Sequence, residues 1–128
     1  MPDTAVLDSS AVLALLQNEA GSATVGGLVH GALLSAVNLS EVHSKLIQKG
    51  MPAALSWMTI LSLQCDVWSF TDEQARVAAE LIPLTKRYGL SLGDRACLAL
   101  AIERKAKVYT ADRNWKNLSL GVEVEVIR

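Results

Sequence analysis

The chain has 128 residues, 51% of them hydrophobic and 20% charged, with a formal net charge of −1 and a mean hydropathy of +0.28. That length suits one domain, residues 1–128, with a single core; the apolar balance calls for strands buried on both faces or surface reserved for a partner. Near-neutral charge excludes nucleic-acid binding by bulk charge alone, and Cys65 and Cys97, without CxxC spacing, exclude a disulfide framework or a zinc site and suit the reducing cytoplasm.

Met1-Pro2-Asp3-Thr4 lacks the basic run of a secretory leader, and Thr4-Ala5-Val6-Leu7 then reads as a short, wholly apolar first strand. A helix follows from about Ser9 to Gln17, and Gly21 opens a weaker one. Ala32 to Ala36 is the second strand. Asn38 caps a helix that runs to Lys49 and stops at Gly50. Pro52 starts the next, which lasts to about Gln64. The uncharged stretch from Gly50 to Cys65 falls short of the roughly 20 apolar residues of a membrane span, so no membrane role is expected.

Asp66 to Phe70 is the third strand. Thr71-Asp72-Glu73 opens a helix to Tyr88, with acids in its first turn, Lys86-Arg87 in its last, and a break or kink at Pro83. Ser91 caps a helix to Arg104, and Lys107 to Thr110 is the fourth strand. The tail, Val122 to Val126, alternates strictly and reads as an edge strand, its glutamates discouraging stray pairing. Strands separated by helices predict an α/β sandwich around a mainly parallel, five-stranded sheet.

Four acids stand where strands give way to helices or in a helix's first turns: Asp8, Glu41, Asp94 and Asp112. Each has an ordinary reading as a cap, since Asn38-x-x-Glu41 is close to a capping box, Ser91-x-x-Asp94 fits one, and Asp8 and Asp112 each precede a helical turn. Gathered in one place they would repel, and a bound cation relieves that repulsion; oxygen ligands suit Mg²⁺ or Mn²⁺. In a parallel sheet, ligands collect beyond the carboxyl ends of the strands, and Asp8 and Asp112 face each other there if the first and fourth strands are neighbours.

Charge is unevenly spread. The first 44 residues hold no Lys or Arg, whereas Lys86 to Lys116 holds eight bases against Asp94, Glu103 and Asp112. That segment is either solvated helix surface or a grip for a phosphate backbone.

Four segments in this order resemble the PIN domain, in particular the compact VapC-type toxins of bacterial toxin–antitoxin pairs. They are Val6-Leu7-Asp8-Ser9-Ser10, Ser40-Glu41-Val42, Leu90-Ser91-Leu92-Gly93-Asp94-Arg95-Ala96 and Thr110-Ala111-Asp112-Arg113-Asn114-Trp115. The resemblance spans nearly the whole chain. It implies a three-layer α/β/α, Rossmann-like fold and a Mg²⁺- or Mn²⁺-dependent endoribonuclease whose acidic quartet is Asp8, Glu41, Asp94 and Asp112. By the same resemblance Asp8, Asp94 and Asp112 hold the metal, Glu41 orients the water, and Ser9 and Thr110 support the acids. It further implies a cognate antitoxin, a homodimer, an RNA substrate, and DNA met only indirectly through the antitoxin.

Arg95, Arg113 and Lys116 flank the acids and are candidates for RNA phosphates, or plain surface. His30 and His43 lack metal-ligand spacing and read as surface or packing residues; Cys97 reads as core. The uncharged helix with Leu55, Trp57, Met58, Ile60 and Leu61 is either core or, by the resemblance, a partner surface. Two rival readings stand beside the nuclease. One is a phosphotransfer or phosphatase domain with Asp8 as nucleophile, weakened because Ser9 and Ser10, not a second acid, follow it. The other is an interaction module whose acids only cap helices.

Overall fold

The computed structural model describes residues 4–128; Met1 to Asp3, read above for a leader, lie outside them. Five strands form one sheet: β1 (Ala5–Leu7), β2 (Leu33–Ser35), β3 (Asp66–Trp68), β4 (Lys107–Thr110) and β5 (Val124–Val126). Their order is β3-β2-β1-β4-β5, and every pair is parallel. Helices alternate with them: α1 (Ser9–Leu16), α2 (Ser22–Gly26), α3 (Ala36–Gln48), α4 (Ala53–Leu61), α5 (Asp72–Glu80), α6 (Ile82–Thr85) and α7 (Leu92–Arg104).

The strands' two-residue period divides the core in two. Ala5 and Leu7 point into a cluster with Val12, Val25, Leu34, Val42, Leu46 and Ile60 on the α1–α4 side. Val6 points the other way, to Leu33, Leu81, Leu98, Leu100, Val108 and Trp115 on the α5–α7 side. Helices therefore cover both faces in three layers, as the apolar first strand predicted. Among the described residues no helix is long and apolar enough to cross a membrane.

Several element boundaries differ from the sequence reading, each for a local reason. Helix α3 starts at Ala36, capped by the Ser35 hydroxyl, which accepts from the Val37 N–H at 3.2 Å. Asn38 is therefore inside the helix and caps nothing. Pro52 is the residue before α4 rather than within it, and α4 ends at Leu61, three residues before the left-handed Gln64 (φ 57°). β3 stops at Trp68, and the helix expected over 71–88 divides into α5, α6 and a 3-10 turn, Lys86–Tyr88. Pro83 explains the division: it lacks the N–H that would continue the ladder from α5. At the β5 edge, Glu123 and Glu125 engage Lys107 of β4 at 3.3 and 2.7 Å, so they tie the last strand to its neighbour.

β1 pairs with β4 in the register Leu7↔Tyr109, and the strand order reverses there. The crevice beyond those two carboxyl ends is where a parallel α/β sheet gathers a ligand.

Candidate functional site

Asp8 follows β1 directly and is only 3% exposed. Its Oδ1 accepts from the Ala11 N–H at 2.8 Å, capping α1, and from the Ser10 hydroxyl at 2.7 Å. Thr110, the last residue of β4, donates its hydroxyl to Asp8 Oδ2 at 2.6 Å and accepts from the Asp112 N–H at 3.0 Å. One hydroxyl thus joins the acids that end the two neighbouring strands. The serine on Asp8 is Ser10 and not Ser9, for which no side-chain hydrogen bond is found among the described residues. Helix α1 begins at Ser9, and that start turns Ser10 back over the capping carboxylate.

Asp94 arrives from the first turn of α7, where it closes a capping box: its Oδ2 accepts from the Ser91 N–H at 2.9 Å, and the Ser91 hydroxyl accepts from the Asp94 N–H at 3.2 Å. Glu41 comes from α3, which packs on α7. Its Oε1 accepts from the Asn38 amide at 2.9 Å. Asp112 caps the 3-10 turn Arg113–Asn117 through the Asn114 N–H at 2.9 Å.

The charges of these groups act on one another. Burial pushes the Asp8 carboxyl up to about 6; hydrogen bonds from Thr110, Ala11 and Ser10 work against that rise, and the Asp94 charge adds to it. Asp94 is also raised, first by burial, against the Ser91 hydrogen bonds, and then by Glu41 and Asp112. Cys97, wholly buried beneath them, is held well above the usual thiol range by burial and by the charges of Asp8, Asp94 and Glu41. Among the described residues, none of the four acids is in a salt bridge.

The four acids therefore lie within reach of one another's charge and, among the described residues, without a salt bridge to any cationic side chain, yet not as a closed cage. Among the described residues no three side chains of metal-binding type stand close enough to hold an ion unaided. Each carboxylate is instead turned into a hydrogen bond close to it in sequence. A carboxylate has about four acceptor sites, so those bonds leave others free. An all-oxygen, anionic donor set of this kind fits Mg²⁺ or Mn²⁺; Mg²⁺ retains several waters and needs few protein ligands.

A family model for the PIN domain matches residues 5–120. The chain belongs to the PIN domain family. No curated protein matches its sequence significantly. Among solved structures, this PIN domain is similar to a chain of a toxin–antitoxin complex from Klebsiella pneumoniae, with 16% identity, 98% of each chain covered and a TM-score of 0.75. It is also similar to Mycobacterium tuberculosis VapC20, a sarcin–ricin-loop-cleaving toxin: 17% identity, 94% of this chain and 99% of that one, TM-score 0.74. A third is VapBC2 from Rickettsia felis bound to a promoter DNA fragment, with 15% identity, coverage of 95% and 97%, and a TM-score of 0.69. The PIN domain shares its fold with VapC20 and with the matched chains of these two complexes.

The basic residues flanking the acids separate into two groups. Arg95 is half-buried and donates to the Ala78 carbonyl at 3.0 Å, which ties α7 to α5. Arg113 and Lys116 are exposed and, with Arg128, Glu125 and two valines of β5, line a shallow cavity of about 520 Å³. Arg128 also donates to the carbonyl of Ala111, next to Asp112, at 3.3 Å. A single base after a strand carries no motif, so nothing in the PIN domain's sequence singled it out. His30 is exposed, and His43 packs edge-on to Trp57 and hydrogen-bonds Ser56 at 2.8 Å.

Proposed function

We propose that this PIN domain is a Mg²⁺- or Mn²⁺-dependent endoribonuclease, the toxin of a toxin–antitoxin pair. The observation that carries the reading is that Thr110 joins Asp8 and Asp112 at the β1–β4 switch point while Glu41 lies against Gly93 beside Asp94, and that among the described residues none of these acids is in a salt bridge. Asp8, Asp94 and Asp112 would hold the metal, and Glu41 would orient the attacking water. The bound cation supplies Lewis acidity that offsets negative charge building on the phosphate. Thr110 and Ser10 hold the Asp8 carboxylate in place. Arg113 and Lys116 offer positive charge for the RNA backbone, whereas the Ala78 carbonyl already occupies Arg95.

A protein partner is supported by the exposure of Leu55, Met58, Leu61 and Val67 on α4 and β3, an apolar face of the kind that marks an interaction site. The solved relatives named as toxin–antitoxin complexes support a cognate antitoxin there, and DNA would be met only through that antitoxin. A homodimer is the expected minimum assembly, and the cytoplasm the expected location.

The test is substitution at the buried end of the quartet. Asp8→Asn and Asp94→Asn should leave the fold intact and abolish Mn²⁺-dependent cleavage of cellular RNA. Undiminished cleavage by both variants would remove the proposed site.

One observation favours a second reading, a binding module whose acids only cap: Asp8, Asp94 and Asp112 all do cap. Serine caps about as well as aspartate. A module of that kind keeps its function in the double variant Asp8→Ser, Asp112→Ser, whereas the nuclease loses it. Nothing in the site favours Asp8 as a phosphorylated nucleophile.

A further inference from the structure

Two buried features that the acidic quartet does not include converge on the same carboxylate. Asn38 lies inside α3, is 1% exposed, and spends both protons of its amide on oxygens: Glu41 Oε1 at 2.9 Å and the Gly93 carbonyl at 3.1 Å. The second bond crosses to α7. Turning the amide over would set its oxygen against two acceptors, so the network fixes its orientation. The remaining atom, Asn38 Oδ1, is buried and has no hydrogen-bond partner among the described residues. A buried carbonyl left unpaired is destabilising, so Asn38 is poorly explained as a residue chosen for stability.

Gly93 is the second feature. It is buried in the first turn of α7, and a Cβ placed there would overlap the Glu41 carboxylate. Glycine in a helix is unfavourable relative to alanine. Here it leaves room for the Glu41 carboxylate to lie flat against the backbone next to Asp94. One residue therefore grips the carboxylate from its own helix, and another clears the place where it rests.

We infer that Asn38 is a positioning residue, which with the bare backbone of Gly93 seats the Glu41 carboxylate between α3 and α7 and faces it toward Asp94. The seat itself is independent of the ribonuclease reading; only its consequence for RNA cleavage rests on it. Asn38 acts through Glu41 and touches neither substrate nor metal.

The experiment uses the full chain and two variants that reach the seat by different routes. Asn38→Leu keeps the branched shape and the number of side-chain heavy atoms, removes the donor and also removes the unpaired carbonyl. Gly93→Ala keeps the donor and fills the seat; the atoms it meets are the far end of a flexible side chain, and alanine suits the helix. Melting temperatures should stay within about 5 °C of wild type.

Side-chain ¹³C relaxation of Glu41 in the chelator-treated protein needs no catalysis. Glu41 should be ordered in the wild type and as mobile as exposed Glu19 in both variants; equal order in all three overturns the seat. Mn²⁺-dependent RNA cleavage should fall roughly 10- to 100-fold in each variant. Neither substitution should slow a Glu41→Ala protein further, whereas an additive loss in that background would make the role merely structural and overturn the inference. If the wild type cuts no RNA, the nuclease reading fails, and the relaxation measurement still decides the role of Asn38.

Discussion

Burial takes water away from Asp8, and three donors, the Thr110 and Ser10 hydroxyls and the Ala11 N–H, return part of what solvation supplied. The carboxyl still rises from 3.8 to about 6. A folded-state value above the unfolded one means that the native protein holds its proton longer. The stability from that proton is complete below pH 4 and is lost as pH rises through 6; the loss is on the order of 3 kcal/mol. Chelator-treated wild type should therefore weaken between pH 4 and pH 6.5 relative to Asp8→Asn, as measured by urea midpoints across that window. Parallel midpoints for the two proteins would contradict the burial cost assigned to Asp8. The identity of the four acids was legible in the sequence because each stands in a short local pattern. Ser10 and Asn38 were not, since the choice between Ser9 and Ser10, or between a cap and a buried amide, depends on where a helix starts.

Helix α7 shows how far local pattern reaches. Ser91-x-x-Asp94 reads as a capping box and is one, and the helix runs to Arg104 as expected. Beyond that first turn α7 is nearly all core, with Ala96 to Ala101 buried. Packing therefore holds the helix once it has started, and the box sets where it begins. Ser91→Ala should cost about 1 kcal/mol and lower the melting temperature by about 3–6 °C, while Mn²⁺-dependent cleavage persists because Asp94 retains its bond from the Ser91 N–H. Cleavage lost along with the cap would show that Asp94 depends on the serine hydroxyl for its place. Helix α3 is the contrasting case. Ser35 ends β2 and caps α3 at once, with no residue between strand and helix, so a sequence reading places the start three residues late. At Pro83 a local rule held, and the chain breaks there because the ring removes a donor.

At the scale of the molecule, the high apolar content divides between a sheet covered on both faces and an outer face left bare. Ile60 of α4 is 3% exposed, whereas Met58 is 69% and Leu61 55% exposed, so one side of that helix is core and the other faces outward. Met58→Lys with Leu61→Lys should leave the melting temperature within about 2 °C, since neither side chain is buried. In sedimentation the wild type should run as a dimer and the same variant at the mass of a 13.7 kDa monomer. A variant that still runs as a dimer would show that this face is not the contact between copies. The sequence by itself determined the alternation of strand and helix, the doubly buried first strand and the chemistry of the acids, because periodicity, caps and prolines act over a few neighbouring residues. Only the tertiary structure decided that β1 lies beside β4, which brings Thr110 onto Asp8 across 102 positions of chain. It also decided that Asp8, Asp94 and Asp112 are hydrogen-bonded caps and Glu41 a partner of Asn38, rather than members of a closed cage. Strand order and side-chain direction are set by packing between distant segments, and no local pattern encodes them.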